Sequence, residues 1–153
     1  MNNDEMIARL AIQNLEGEYA RSWDTCDAEA WAGVFAGDGI FEMIAVGDRP
    51  GIFVKGSNDL ENFCRQFTDT VQGLHLMHIP SITVIGDRAE SWMHFEFRSA
   101  SGADQSSVMG VYLTDYQLTD KGWRLSHRRE QAVSRSKNSF FPIPNRDELL
   151  KNT

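Results

Sequence analysis

Three turn signals divide the second half of the chain, and they limit its fold more than any other feature. Gly86-Asp87, Ser101-Gly102-Ala103-Asp104 and Thr119-Asp120-Lys121-Gly122 each place a glycine beside or near an aspartate, the pairing that hairpin turns favour. The stretches they separate, 79–85, 88–99, 106–118 and 123–133, read as four consecutive strands of a meander. Within 88–99 the alternation has two clear faces. Trp92, His94, Glu96 and Arg98 fall on one, and Met93, Phe95 and Phe97 on the other. The Met/Phe face suits a core or an apolar pocket, and something must cover it.

The first half supplies the cover. Between Glu5 and Ser22, the residues Ile7, Leu10, Ala11, Leu15, Tyr19 and Ser22 recur at three- and four-residue steps, which predicts a long helix. Asp27 is a fitting N-cap for a short helix to Phe35, with Trp31 and Phe35 on one face, closed by Gly37-Asp38-Gly39. Residues 40–46 and 52–55 read as strands. Ser57 or Asn58 can cap a third helix to about Val71, with Leu60, Phe63, Cys64 and Phe67 inward. Helices first and a meander after them predict an α+β fold, with helices packed on one face of a curved, mostly antiparallel sheet. At 153 residues the chain reads as a single domain, 1–153, with a core over about 5–133 and a C-terminal tail, 134–153, that holds Pro142 and Pro144 among aromatics.

The net charge of −7 is unevenly spread: residues 1–70 carry 13 acids and 5 bases, whereas residues 121–153 carry 3 acids and 8 bases. An acidic domain is poorly suited to nucleic acid, whose binding needs many phosphate contacts. The basic last third is expected to pair with acids elsewhere in the fold rather than to form a nucleic-acid arm. There is no apolar run long enough to span a membrane and no apolar signal core near the start, so a cytoplasmic location is expected. Cys26 and Cys64 form no CxxC pair and read as reduced, inert thiols.

No GxGxxG, GxxxxGK[ST], HExxH or GxSxG motif occurs. His75 and His78 are three apart in what reads as a strand and would face opposite ways, so no metal site is expected from them. Asp24 follows the long helix beside Trp23, five residues after Tyr19. It is either a helix-end capping group or a desolvated catalytic carboxylate. His75, in GLHLMHIP, is either a hydrogen-bonded core residue or a base. Together the two gain meaning, because a carboxylate that orients a neutral histidine makes a general base effective near pH 7. Tyr112 shares a face with Gly110 and Thr114 and is either a pocket donor or an ordinary sheet tyrosine. The mixed Trp92/His94/Glu96/Arg98 face suits a protein–protein interface.

Three stretches carry a family resemblance. AIQNLEGEYARSWDTCDAEAWAGVFAGDGIFE resembles the opening of the SnoaL-like group of the nuclear transport factor 2-like superfamily, HLMHIPSITVIGDRAESW its central element, and GVYLTDYQLTDKGWRLSHR its closing strand pair. Together they cover about residues 5–130. The resemblance implies an α+β cone, in which a curved sheet wraps the long helix around an apolar cavity. The group includes scytalone dehydratase, bile-acid dehydratases, hexachlorocyclohexane dehydrochlorinase and polyketide cyclases, and several of these pair an Asp after the first helix with a His on a later strand. Those positions match Asp24 and His75, and the tyrosine of the bile-acid dehydratases matches Tyr19. Trp23 and Met43 stand where scytalone dehydratase has its water-binding tyrosines, and Met93, Phe95 and Phe97 stand on the strand that carries carboxylates in ketosteroid isomerase.

The resemblance therefore implies a cofactor-independent, metal-free lyase or isomerase acting on a small hydrophobic cyclic molecule. Asp24, His75 and Tyr19 would be catalytic. Trp23, Phe41, Met43, Phe67, Phe95, Phe97 and Tyr112 would bind substrate, with Phe35 and Met93 backing them. The chain would form a homo-oligomer, a dimer or trimer, without membrane or nucleic-acid partners. The alternative is a non-catalytic binding or assembly domain like the small subunit of a ring-hydroxylating dioxygenase. The Phe140-Phe141-Pro142 segment would either close the cavity or pack on a neighbouring subunit.

Overall fold

The structure is a computed structural model that describes residues 2–136. The segment 140–142 therefore lies outside the described residues. Three helices, α1 (Asn3–Asp24), α2 (Ala28–Gly33) and α3 (Ser57–Thr68), accompany seven strands among the described residues. These are β1 (Phe35–Met43), β2 (Ile52–Lys55), β3 (Gln72–Met77), β4 (Ser81–Ile85), β5 (Arg88–Ser101), β6 (Asp104–Thr119) and β7 (Gly122–Ser136).

Helix α1 begins where the Asn2 side chain accepts a hydrogen bond from the Glu5 N–H at 2.8 Å, and Asp4 and Glu5 in its first turn complement the helix dipole. Its buried stripe is Ala8, Ile12, Leu15, Glu16, Tyr19, Ser22 and Trp23. The predicted stripe holds from Ala11 onward, with Ala11 partly buried against the core, but not at Ile7 and Leu10, which are 65% and 61% exposed. The inner face instead accepts a charged residue, Glu16, because Arg128 and Tyr116 both donate to its Oε1. Apolar periodicity cannot register a carboxylate buried in this way.

Asp27 caps α2 through the Ala30 N–H at 3.0 Å. The helix stops at Gly33, and Phe35 already belongs to β1, so the predicted extent to Phe35 is corrected. Gly37-Asp38-Gly39 is not a terminating loop either. It lies inside β1, at an irregularity between the pairs Phe35↔Leu125 and Ile40↔His127. Helix α3 ends at Thr68 rather than Val71, with Leu60 and Cys64 buried and Phe63 and Phe67 packed against the core. The stretch holding His75, which reads as strand at the entry to 79–85, is a separate strand, β3, that begins at Gln72 and ends at Met77, and β7 runs on to Ser136 rather than ending at Val133.

The sheet runs β2-β1-β7-β6-β5-β3, with β4 paired to the other part of β5. All pairings are antiparallel except β1 with β7, which is parallel, so the curved sheet is mixed. It does not close into a barrel. Helix α1 lies against β3, β4 and β7, and α2 packs on α3. Trp31, fully buried, holds this junction, with ring centroids 4.9 Å from Trp23 and 5.0 Å from Phe35. Two glycines let aromatic rings lie flat on the sheet. A Cβ on Gly110 would stand 2.8 Å from the Phe95 ring, and one on Gly73 would stand 2.5 Å from the Phe97 ring.

The basic last strand pairs inward and sideways, as its charge pattern suggests. Arg129 bonds Asp115 and His127 bonds Glu42, both at 2.9 Å, while Arg128 meets Glu16. Among the described residues no helix is long and apolar enough to cross a membrane.

Candidate active site

Asp24 is the last residue of α1, where the helix dipole disfavours a carboxylate. Both of its oxygens are nevertheless engaged. They accept from the His75 backbone N–H at 3.2 and 3.0 Å, and Oδ1 meets His75 Nδ1 at 2.7 Å. The two side chains are 13% and 5% exposed. Edge strand β3 thus brings a residue 51 positions away onto the end of the first helix. An ionised carboxylate only accepts hydrogen bonds, so in the neutral imidazole this contact puts the proton on Nδ1 and leaves Nε2 as the lone-pair nitrogen. The ring sits 4.6 Å from Phe97, 5.9 Å from Tyr19 and 6.3 Å from Trp23, centroid to centroid.

His75 opens onto a cavity of about 380 Å³. The residues singled out for substrate binding, Trp23, Phe41, Met43, Phe67, Phe95, Phe97 and Tyr112, lie on its wall with Tyr19. Asp24 sits behind His75, off the wall. Phe35 and Met93 are buried behind the lining. Phe95 stacks on Tyr112 at 4.1 Å.

The two phenols are held by a charge that sequence reading did not find. Arg128 is completely buried, with its guanidinium carbon 4.0 Å from the Tyr19 ring centre and 4.5 Å from that of Tyr112. Its Nε donates to Thr114 at 3.1 Å and its Nη2 to Glu16. Burial drives the Tyr19 and Tyr112 hydroxyls above the ordinary phenol range, so both stay protonated and serve as donors rather than bases.

Glu130 was also missed. It lines the cavity beside Arg49 and Arg135, and burial pushes its carboxyl up to about 7, against the pull of Arg49, Arg128 and Arg135. The physical reason these residues escaped notice lies in β7. Register jumps from Asp115↔His127 to Tyr116↔Leu125, which leaves Ser126 as an extra residue and reverses the alternation. Strict alternation from Trp123 and Leu125 puts Arg128 and Glu130 outside, whereas the bulge turns both inward. No apolar residue follows Leu125 until Ala132, so the alternation carries no local sign of the bulge.

The remaining candidates lie elsewhere. His78 falls beyond β3, with its backbone bonded to His94 and its ring 6.3 Å from that of His94. Among the described residues no cluster of three or more His, Cys, Asp or Glu side chains is arranged to hold a metal ion. Cys26 and Cys64 are free thiols, and burial pushes that of Cys64 up to about 12. Trp92 is 48% exposed.

The SnoaL-like domain family matches residues 4–129, and the chain belongs to that family. Solved structures agree on the fold. Rv3472 from Mycobacterium tuberculosis, a protein of unknown function, is 28% identical with a TM-score of 0.76, over 85% of this chain and 74% of its own. A candidate aromatic ring hydroxylase from Novosphingobium aromaticivorans is 23% identical with a TM-score of 0.76, over 87% and 94%. A type 2 hexachlorocyclohexane dehydrochlorinase is 14% identical with a TM-score of 0.80, over 94% and 97%. Comparison with curated proteins gives no match.

Proposed function

We propose that this domain is a cofactor-independent lyase or isomerase in which His75, oriented by Asp24, removes a proton from carbon in a small hydrophobic cyclic substrate. The observation that carries the reading is the 2.7 Å contact between Asp24 and His75 Nδ1 beside an aromatic-walled cavity. Nε2 takes the proton, and the Asp24 carboxylate stabilises the imidazolium that results. The electron pair left on carbon either forms a double bond as a leaving group departs or passes to an adjacent carbonyl oxygen. Tyr19 or Tyr112 donates a hydrogen bond to that oxygen or leaving group. Similarity in fold to a dehydrochlorinase supports the elimination branch.

The test is an elimination and isomerisation assay on hydrophobic alicyclic and aromatic compounds with the parent, His75→Ala and Asp24→Asn. Loss of a positioned base should cost about 10²–10⁴-fold in kcat. A turnover that both variants retain in full contradicts the reading.

A second reading, a non-catalytic assembly domain, rests on the exposed Trp92 and the exposed Leu76 and Met109 on neighbouring strands. In the first reading this face joins copies of the chain as a homo-oligomer. Light scattering on the purified protein separates them: a dimer or trimer that Trp92→Glu reduces to monomer favours the first, and a monomer that requires a larger partner favours the second.

A further inference from the structure

The cavity has a polarity gradient that proton abstraction does not use. Its buried end is aromatic, while its exposed lining gathers Arg49 and Arg135 with Ser101 and Asp104. A second groove, of about 220 Å³, is lined by the same Met43, Arg49, Glu130 and Arg135, so these four residues form the neck between the two spaces. The register explains how a surface strand contributes here. Met109 pairs with Ser134 and Gly110 with Ala132, leaving Val133 as an extra residue, and Arg135 comes to lie opposite buried Val108, on the inner face.

Arg49 and Arg135 are also set apart by what they lack. Arg9, Arg21, Arg65, Arg98, Arg128 and Arg129 each have a carboxylate partner within 4 Å, Arg88 donates to Gln117 and Arg124 to the Trp123 carbonyl, whereas the side chains of Arg49 and Arg135 have neither an ion-pair nor a hydrogen-bond partner among the described residues. Burial lowers the Arg135 guanidinium from its ordinary range, and the charge of Arg49 lowers it further, while Glu130 acts the other way. Two cations thus face one neck with one partly buried carboxylate between them. The other acid on the wall, Asp104, makes no ion pair among the described residues.

We propose that Arg49 and Arg135 form an oxyanion subsite at the neck, so that the ligand is amphiphilic, with an apolar ring system in the aromatic end and one carboxylate, sulfate or phosphate ester at the mouth. The inference takes from the proposed function only that the cavity is the ligand site, and it stands whether or not His75 acts as a base. Arginine suits this role because its planar fork matches an oxyanion with two parallel hydrogen bonds.

Isothermal titration calorimetry tests it with four probes that share one ring system: 2-naphthoate, 2-naphthyl sulfate, 2-naphthyl phosphate and the neutral 2-naphthalenemethanol. At least one anion should bind about tenfold or more tighter than the alcohol, the gain of a charge-assisted contact, and the three anions rank the head groups. Arg49→Gln with Arg135→Gln should bring that anion down to the affinity of the alcohol and leave alcohol binding unchanged, which also reports an intact cavity. His75→Ala should retain the anion preference, so its loss of activity and the loss of this subsite are separable. Equal affinity for anion and alcohol, a preference that survives the double variant, or no binding by any probe overturns the proposal.

Discussion

Asp24 and Arg128 show how single charged residues are kept in places that disfavour them. Asp24 sits at the negative end of a helix and is retained by three hydrogen bonds from one residue, His75. Arg128 sits under two phenol rings and is retained by Glu16 and Thr114. Removing one partner of a buried pair leaves the other charge uncompensated. Arg128→Ala is therefore expected to lose about 3–5 kcal/mol in urea unfolding, more than the truncation of a surface arginine such as Arg21. Glu130 makes the converse case. Its carboxyl ordinarily titrates near 4.5, and burial raises it to about 7 in the folded chain. At pH 4 both states hold the proton and the residue is neutral in its effect. Between about 4.5 and 7 the unfolded chain ionises while the folded chain keeps the proton, so the folded state loses stability as pH rises through that window. Glu130→Gln should thus be more stable than the parent at pH 8 by about 1–3 kcal/mol, with the difference vanishing near pH 4. Melts at the two pH values check this.

Strand β7 is the element on which the site depends most. Its two extra residues, Ser126 and Val133, decide that Arg128, Glu130 and Arg135 all lie on the inner face, where Glu130 and Arg135 line the cavity and Arg128 is buried behind its wall. Sequence patterning found the meander because glycine–aspartate turns and alternating apolar residues are local signals. It found α2 and its cap for the same reason. It read strand at His75 but not the extent or separateness of β3, whose burial is intermediate along most of its length, and it took Gly37-Asp38-Gly39 for a break because strand pairing with a residue some 90 positions later leaves no local trace. Asp24 and His75 were legible through the family resemblance, whereas the Glu16–Arg128 pair, 112 residues apart, was not. The flat packing of Phe95 on Tyr112 is a second property of the sheet as a unit. It requires the missing side chain at Gly110, where a Cβ would also stand 2.3 Å from the Gln131 carbonyl. Gly110→Val should cost about 1–3 kcal/mol through overpacking and alter the cavity wall, read as a lower Tm and weaker binding of a naphthyl probe.

At the scale of the whole molecule, the fold is a mixed sheet curled over one long helix, with its aromatic interior left partly unfilled. The acidic first half of the chain, through Glu16 on α1 and Glu42 on β1, interlocks with the basic last strand at Arg128 and His127, so the charge asymmetry of the chain is largely spent within the fold. The titratable groups left on the cavity wall are a single oriented imidazole beside the aromatic rings, two arginines, the carboxyls of Glu130 and Asp104, and the phenols of Tyr19 and Tyr112. The central claim is that this imidazole abstracts protons from carbon. Deuterium incorporation next to the carbonyl of a cyclic ketone such as 1-tetralone, followed by NMR in D₂O near pH 7, reads that step without requiring the natural substrate. The parent protein should accelerate exchange over buffer, and His75→Ala should lower the protein-dependent rate by about 10²-fold or more. Exchange that the protein does not accelerate, or that His75→Ala leaves unchanged, would contradict the account.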